Sequence, residues 1–375
     1  MLLNNNIPHR RRTVSQTSKS KNRIYICHTY YHVYMSVIKE LALQKTLSDK
    51  ADIILSTMSN NFETLDMRLR ESGLFDQVFT YDEQEDVTSD TIMEHHRNRG
   101  NLLANMYHRI IYTKMLGALQ EPYIPTDLKA YKDVYVFCDS DPVGYYLNYK
   151  KIPYHSIEDG LNSGKLDDQA RLSNAGAFKL KCLLAKTGLI FIECGYSRYC
   201  IDYEVNDISA NHSVPPNVIE VSHESITAGL DAADHEILAR IFISDWDEIR
   251  SVLVREPGSK PTAMILTEPL CEYDVRKKLF ADIIDMYKDD YEVIIKPHPR
   301  DELKYDELFD GVTVIRSRFP MEVLNDITEI RINLLISVIT QVEDIRFADR
   351  IVYLGLDFMD KYESPEVHRK LDSLV

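Results

Sequence analysis

The chain has 375 residues, 44% of them hydrophobic, and 59 acidic against 44 basic side chains give a formal net charge of −15. That is enough apolar material for two domains of ordinary size, and the acidic balance argues against nucleic acid as a partner, because counterion release needs a basic face. No run of eighteen apolar residues occurs, and the start MLLNNNIPHRRR is too polar for the core of a signal peptide, so a cytoplasmic protein is expected.

In chain order, residues 1–22 come first, with Arg10, Arg11, Arg12, Lys19 and Lys21 among Ser, Thr and Asn and no hydrophobic period. They read as a mobile basic arm, suited to peripheral contact with the inner membrane surface. From Arg23 short apolar runs alternate with longer amphipathic ones, the pattern of βα units building a mostly parallel sheet. RIYICHT predicts a strand and YHVYMSVIKELALQK a helix. ADIILST, QVFTY and DVYVFCD predict further strands, with a long helical stretch over 90–119, and KIPYHSIEDG predicts the next strand. The stretch 176–228 mixes helical, extended and turn-like pieces. It holds Pro215-Pro216, the expected hinge between a domain over 23–215 and another over 216–356. Past the hinge TAMILTEP, YEVIIKPHP, GVTVIRS, RINLLISV and RIVYLGL predict strands, and 357–375 a closing helix. Cys27, Cys138, Cys182, Cys194, Cys200 and Cys271 lack CxxC or CxH spacing, so neither a structural metal nor disulfides are expected.

Two successive βα domains give an α/β protein with the layout called GT-B, two Rossmann-like domains facing across a cleft. Open α/β sheets take ligands beyond the carboxyl ends of their strands, so those ends are where chemistry is expected. HSIEDG puts Glu158 and Asp159 at such an end, with Gly160 allowing a sharp turn. Strand alternation points the two carboxylates apart, so one faces the cleft, where it could take a proton from a hydroxyl attacking a sugar carbon. In IIKPHPRDE, two prolines restrict the backbone around His298, and Lys296 and Arg300 add positive charge. That segment could hold a phosphate and supply a proton as it leaves. RINLLISVIT ends on Ser337 and Thr340 before a helix-like segment, where hydroxyls and backbone N–H groups could bind an anion. Thr267 and Glu268, after the first strand of the second domain, are further candidates for the nucleotide. His28 and His32, with Thr29 and Tyr31 between them, are candidates for the acceptor side. Asp139-Ser140-Asp141 keeps a rival open, a D-x-D pair holding a metal on a UDP- or GDP-sugar. A carbohydrate-binding or assembly subunit without activity is a third reading.

Together, Glu158-Asp159-Gly160, the segment Lys296 to Asp301, and Ser337 with Thr340 resemble, in order and spacing, the motifs of bacterial sialyltransferases and polysialyltransferases. The opening IYICHTYYHVYMSVIKE is similar to that of capsule enzymes in glycosyltransferase family 52. The resemblance implies inverting transfer from CMP-sialic acid, without a metal or other cofactor, to a sugar of a capsular polysaccharide or lipooligosaccharide. It implies that Asp159, or else Glu158, is the general base and His298 the general acid or phosphate partner. It also implies that Ser337 and Thr340 are phosphate ligands, and Gly160, Lys296, Pro299 and Arg300, with Thr267 and Glu268, are expected on the donor side. The chain departs from the usual adjacent hydroxyl pair, having Ser337-Val338-Ile339-Thr340 instead.

Overall fold

In the computed structural model the described residues are 21–368, apart from 60, 84–89, 138, 161–168, 212, 255–257, 270, 299–300, 341 and 343–344. Strands β1 (Lys21–Cys27), β2 (Asp52–Ser56), β3 (Val78–Tyr81), β4 (Tyr131–Val136), β5 (Tyr154–Ile157), β6 (Cys200–Val205) and β7 (Val218–Glu220) form the first sheet. Its order is β3-β2-β1-β4-β5-β6-β7, with every neighbouring pair parallel. Strands β8 (Thr262–Leu266), β9 (Glu292–Lys296), β10 (Thr313–Val314), β11 (Ile332–Ser337) and β12 (Ala348–Tyr353) form the second, in the order β10-β9-β8-β11-β12, also parallel throughout. The central strands DIILS and TAMIL are buried at all positions, as expected where helices cover both faces of a sheet. In each sheet the order reverses beside the first strand, which puts the crevices beyond β1/β4 and β8/β11.

Three expectations need correction. The first sheet does not end at Pro215-Pro216, because β7 lies beyond the pair and adds to its edge, so the chain passes to the second sheet between Glu220 and Thr262. Lys21 and Asn22, expected in the basic arm, instead open β1, with Lys21 paired to Asp52, and residues 1–20 lie outside the described residues. In place of one closing helix, the described residues hold two short ones, Leu356–Met359 and Pro365–His368, and 369–375 lie outside the described residues.

Helix α1 (Tyr30–Leu43) joins the domains. Thr29 caps it by accepting the His32 N–H, and ten of its fourteen residues are buried. Its Tyr34 hydroxyl donates to Asp326 on the helix Glu322–Asp326 of the second domain, at 2.5 Å, and meets His223 Nε2. Glu63 pairs with Arg318 across the same junction at 3.2 Å, and one apolar core cluster runs from Val33 and Ile38 through Phe242 to Met264 and Leu335.

Candidate functional site

The first-domain strand ends meet at α1. Glu158 and Asp159 follow β5 and do point apart. Glu158 is buried and accepts the Asn206 N–H at 2.8 Å, while the Asp159 side chain is 63% exposed. His32 holds Asp159. Its Nδ1 accepts the His28 N–H at 3.0 Å, which leaves the proton on Nε2, and that N–H donates to Asp159 Oδ1 at 2.8 Å. The ring stacks on Phe137 with centroids 4.4 Å apart, and burial keeps its pKa below the ordinary value although Asp159 pulls the other way. His32 is thus a neutral donor aiming an exposed carboxylate.

His28 behaves oppositely. It is buried between two carboxylates, with Glu83 Oε2 2.6 Å from Nε2 and Asp141 Oδ2 3.4 Å from Nδ1. Burial disfavours the charged ring, but Glu83, Asp141 and Asp159 together outweigh it and raise the pKa. Glu83 also accepts from the Ser56 hydroxyl and the Val143 N–H, tying the ends of three strands to the helix Pro142–Lys150. NMR titration of the ring protons should therefore place His28 above the ordinary 6.5 and His32 below it. The stability contributed by His28 is full below that ordinary value and is lost as pH rises through the raised one. The reverse order of titration would overturn both assignments.

The carboxylates of the D-x-D pair are engaged separately. Asp139 is buried and accepts the Cys194 N–H at 2.5 Å, the Gly195 N–H at 3.3 Å and the Tyr154 hydroxyl at 2.8 Å, and burial pushes its pKa up to about 6. Gly144 fits only because it has no side chain: a Cβ there would lie 1.8 Å from the Asp139 carbonyl oxygen. Gly160 lies on the turn directly after Asp159, half-buried.

In the second domain the candidate residues also gather at strand ends, but several serve one another. Thr267 donates its hydroxyl to Asp301 at 2.7 Å and accepts the His298 N–H at 3.2 Å. Asp301 also takes Arg276 at 2.8 Å and the Tyr305 hydroxyl at 2.8 Å, so it anchors the turn that carries the half-buried His298. Lys296 is buried, donates to the Phe319 carbonyl at 2.8 Å over that residue's ring, and has its pKa lowered by burial to about 8. Glu268 occupies the turn after β11, accepting the N–H groups of Ile339 and Thr340 and the Ser337 hydroxyl. Those are the groups offered to an anion from sequence, and the expected helix does not follow them: among the described residues β12 comes next. Pro299 and Arg300 lie outside the described residues.

The two halves approach each other at Tyr31. Burial raises its hydroxyl pKa well above the ordinary value, and the charges of Glu158, of Glu322 on the second domain, and of Asp159 add to the effect. Glu322 acts likewise on Lys296. Carboxylates of both domains act electrostatically on one phenol whose oxygen has no hydrogen-bond partner among the described residues. Sequence reasoning missed Glu83 and the support of Asp159 by His32. Glu83 sits in the run Asp82-Glu83-Gln84-Glu85-Asp86, which reads as a solvated charge cluster, whereas a four-residue spacing from His28 was the available signal for His32.

Two parallel α/β domains, with acidic and imidazole groups at their strand ends, give a two-domain GT-B architecture. The sequence model of glycosyltransferase family 52 matches residues 49–340, and the chain belongs to that family. An uncharacterized protein of Haemophilus influenzae is 35% identical over 79 residues, 20% of this chain and 25% of that one, so the chain spans about a quarter of the length of that curated relative. Among solved structures, the α/β-galactoside α-2,3-sialyltransferase of Photobacterium phosphoreum is similar with a TM-score of 0.46, 12% identity, and coverage of 89% of this chain and 91% of that one. The UDP-GlcNAc 2-epimerase of Neisseria meningitidis gives 0.47 with 11% identity, covering 93% and 94%. A sialyltransferase of Photobacterium damselae gives 0.46 with 14% identity, covering 85% and 86%.

Proposed function

We propose that this protein is an inverting sialyltransferase that moves sialic acid from CMP-sialic acid to a terminal sugar of a capsular polysaccharide or lipooligosaccharide, in the cytoplasm and without a metal. Family membership supports glycosyl transfer, and the motif pattern supports the donor. The observation that carries the reading is the exposed Asp159 carboxylate at the end of β5, aimed by a neutral His32 while Glu158 is turned inward. Asp159 acts as general base, removing the proton of the acceptor hydroxyl as it attacks the anomeric carbon. His298 protonates or hydrogen-bonds the phosphate as CMP leaves. Tyr31, between carboxylates of both domains, stands where an acceptor hydroxyl or the donor would meet it. Ser337 and Thr340 shape the donor side, with Glu268 bracing their turn.

Metal independence is supported by the Asp139 carboxylate, whose oxygens are committed to two backbone N–H groups and a phenol. Transfer should survive EDTA; loss of activity restored by manganese would favour the D-x-D reading. In a thermal-shift panel of CMP, CDP, UDP and GDP, CMP should raise the melting temperature selectively, since a ligand bound only by the folded state stabilises it by mass action.

A further inference from the structure

Two stretches of this acidic chain contain no carboxylate at all. Residues 97–120 hold Arg97, Arg99, Arg109 and Lys114, and residues 171–192 hold Arg171, Lys179, Lys181 and Lys186, with no Asp or Glu in either. The fold places them side by side. Ile110 of the helix Leu102–Gln120 packs into the satellite core of Ala185, Ile190 and Ile192, and Arg109 bonds the Phe191 carbonyl at 3.0 Å and Asn174.

The joint surface is apolar as well as cationic. Leu103 is 76% exposed, and Tyr107, Leu172, Leu180, Leu183 and Leu189 are exposed with it. On the helix Leu102–Gln120, Leu103, Tyr107 and Lys114 recur at positions i, i+4 and i+11, which is one face. On the helix Phe178–Lys186, Lys179, Leu183 and Lys186 recur at i, i+4 and i+7. Leucines thus alternate with exposed lysines on outward faces of neighbouring helices. A cavity of about 850 Å³ opens between these helices, with Ser140 and Tyr145 on its inner wall, close to the first-domain strand ends.

We infer that this face docks on an anionic phospholipid bilayer. Clustered exposed leucines need an apolar partner. Arg99 and Arg109 are paired with Glu94 and Glu193, but the exposed Lys114, Lys179 and Lys186 on the same patch, in a molecule of net charge −15, need an anionic one. A bilayer with acidic headgroups supplies both, the leucines entering the headgroup–acyl boundary and the lysines meeting phosphates. No helix among the described residues is long and apolar enough to cross a membrane, so the attachment is peripheral. The inference does not depend on which sugar is transferred, and its test reads no catalysis.

The full-length protein is to be sedimented with vesicles of phosphatidylcholine alone and of phosphatidylcholine mixed with phosphatidylglycerol. Binding to the mixed vesicles only is expected. Lys179→Gln and Lys186→Gln should each weaken it by about fivefold, and Leu103→Ser with Leu183→Ser should weaken it further, all at unchanged melting temperature. Equal binding to both vesicles, or to neither, would overturn the inference. So would binding indifferent to the substitutions, which would leave the basic arm as the lipid contact. A dimer dissolved by the two leucine substitutions would assign the face to a second copy of the chain.

Discussion

Asp159→Asn is expected to lower transfer by about 10²–10⁴-fold, the loss usual for a positioned general base. The substitution is conservative in geometry: the amide oxygen can still accept the His32 Nε2–H that Asp159 now accepts at 2.8 Å. What disappears is basicity. Nucleotide affinity should stay unchanged, because the proposed phosphate partners lie on the other domain. Glu158→Gln should be much milder in rate, since that side chain is buried against the Asn206 N–H. Steady-state kinetics with a CMP-binding titration separate these effects. If Glu158→Gln abolishes turnover while Asp159→Asn keeps it, the base is Glu158.

The second large effect concerns stability. Asp301→Ala should lower the unfolding free energy by about 3–5 kcal/mol, because it leaves the largely buried Arg276 guanidinium without its counter-charge. The hydroxyls of Thr267 and Tyr305 lose their acceptor as well, and the turn carrying His298 loses its anchor. A urea midpoint well below that of the parent, with weakened CMP binding, is the expected result. Asp301→Asn, which keeps the size and one acceptor, should be milder. An unchanged midpoint for Asp301→Ala would mean that Arg276 finds solvent once freed.

The regular βα rhythm made ten of the twelve strands legible from sequence, because a parallel strand covered on both faces is a continuous apolar run, as in DIILS and TAMIL. β6 and β7 escaped: CIDYEV is half-exposed and mixes charges, and VIE is only three residues long at an edge. Asp159, His298, Thr267 and Ser337 lie at or just after strand ends, as the sequence pattern implies, since topology alone sends them there. Their partners were not legible. A run of acids in the sequence hides the buried Glu83. Nothing local distinguishes a carboxylate that bonds backbone N–H groups, as Glu268 does, from one awaiting a ligand. Lys296 looks like a phosphate ligand beside His298, yet it ends a strand buried on both faces and meets the Phe319 carbonyl. Ser337 and Thr340 suggested a helix N-terminus that could bind an anion, but the Glu268 carboxylate accepts the Ile339 and Thr340 N–H groups.

The most direct test incubates the purified protein separately with CMP-sialic acid and with a set of UDP- and GDP-sugars, in EDTA, and measures the nucleotide released. Slow release of CMP from CMP-sialic acid alone, faster when a lipooligosaccharide or capsular oligosaccharide acceptor is added and lost in Asp159→Asn, is the predicted result. Release of UDP or GDP, or of no nucleotide from any donor, would contradict the account.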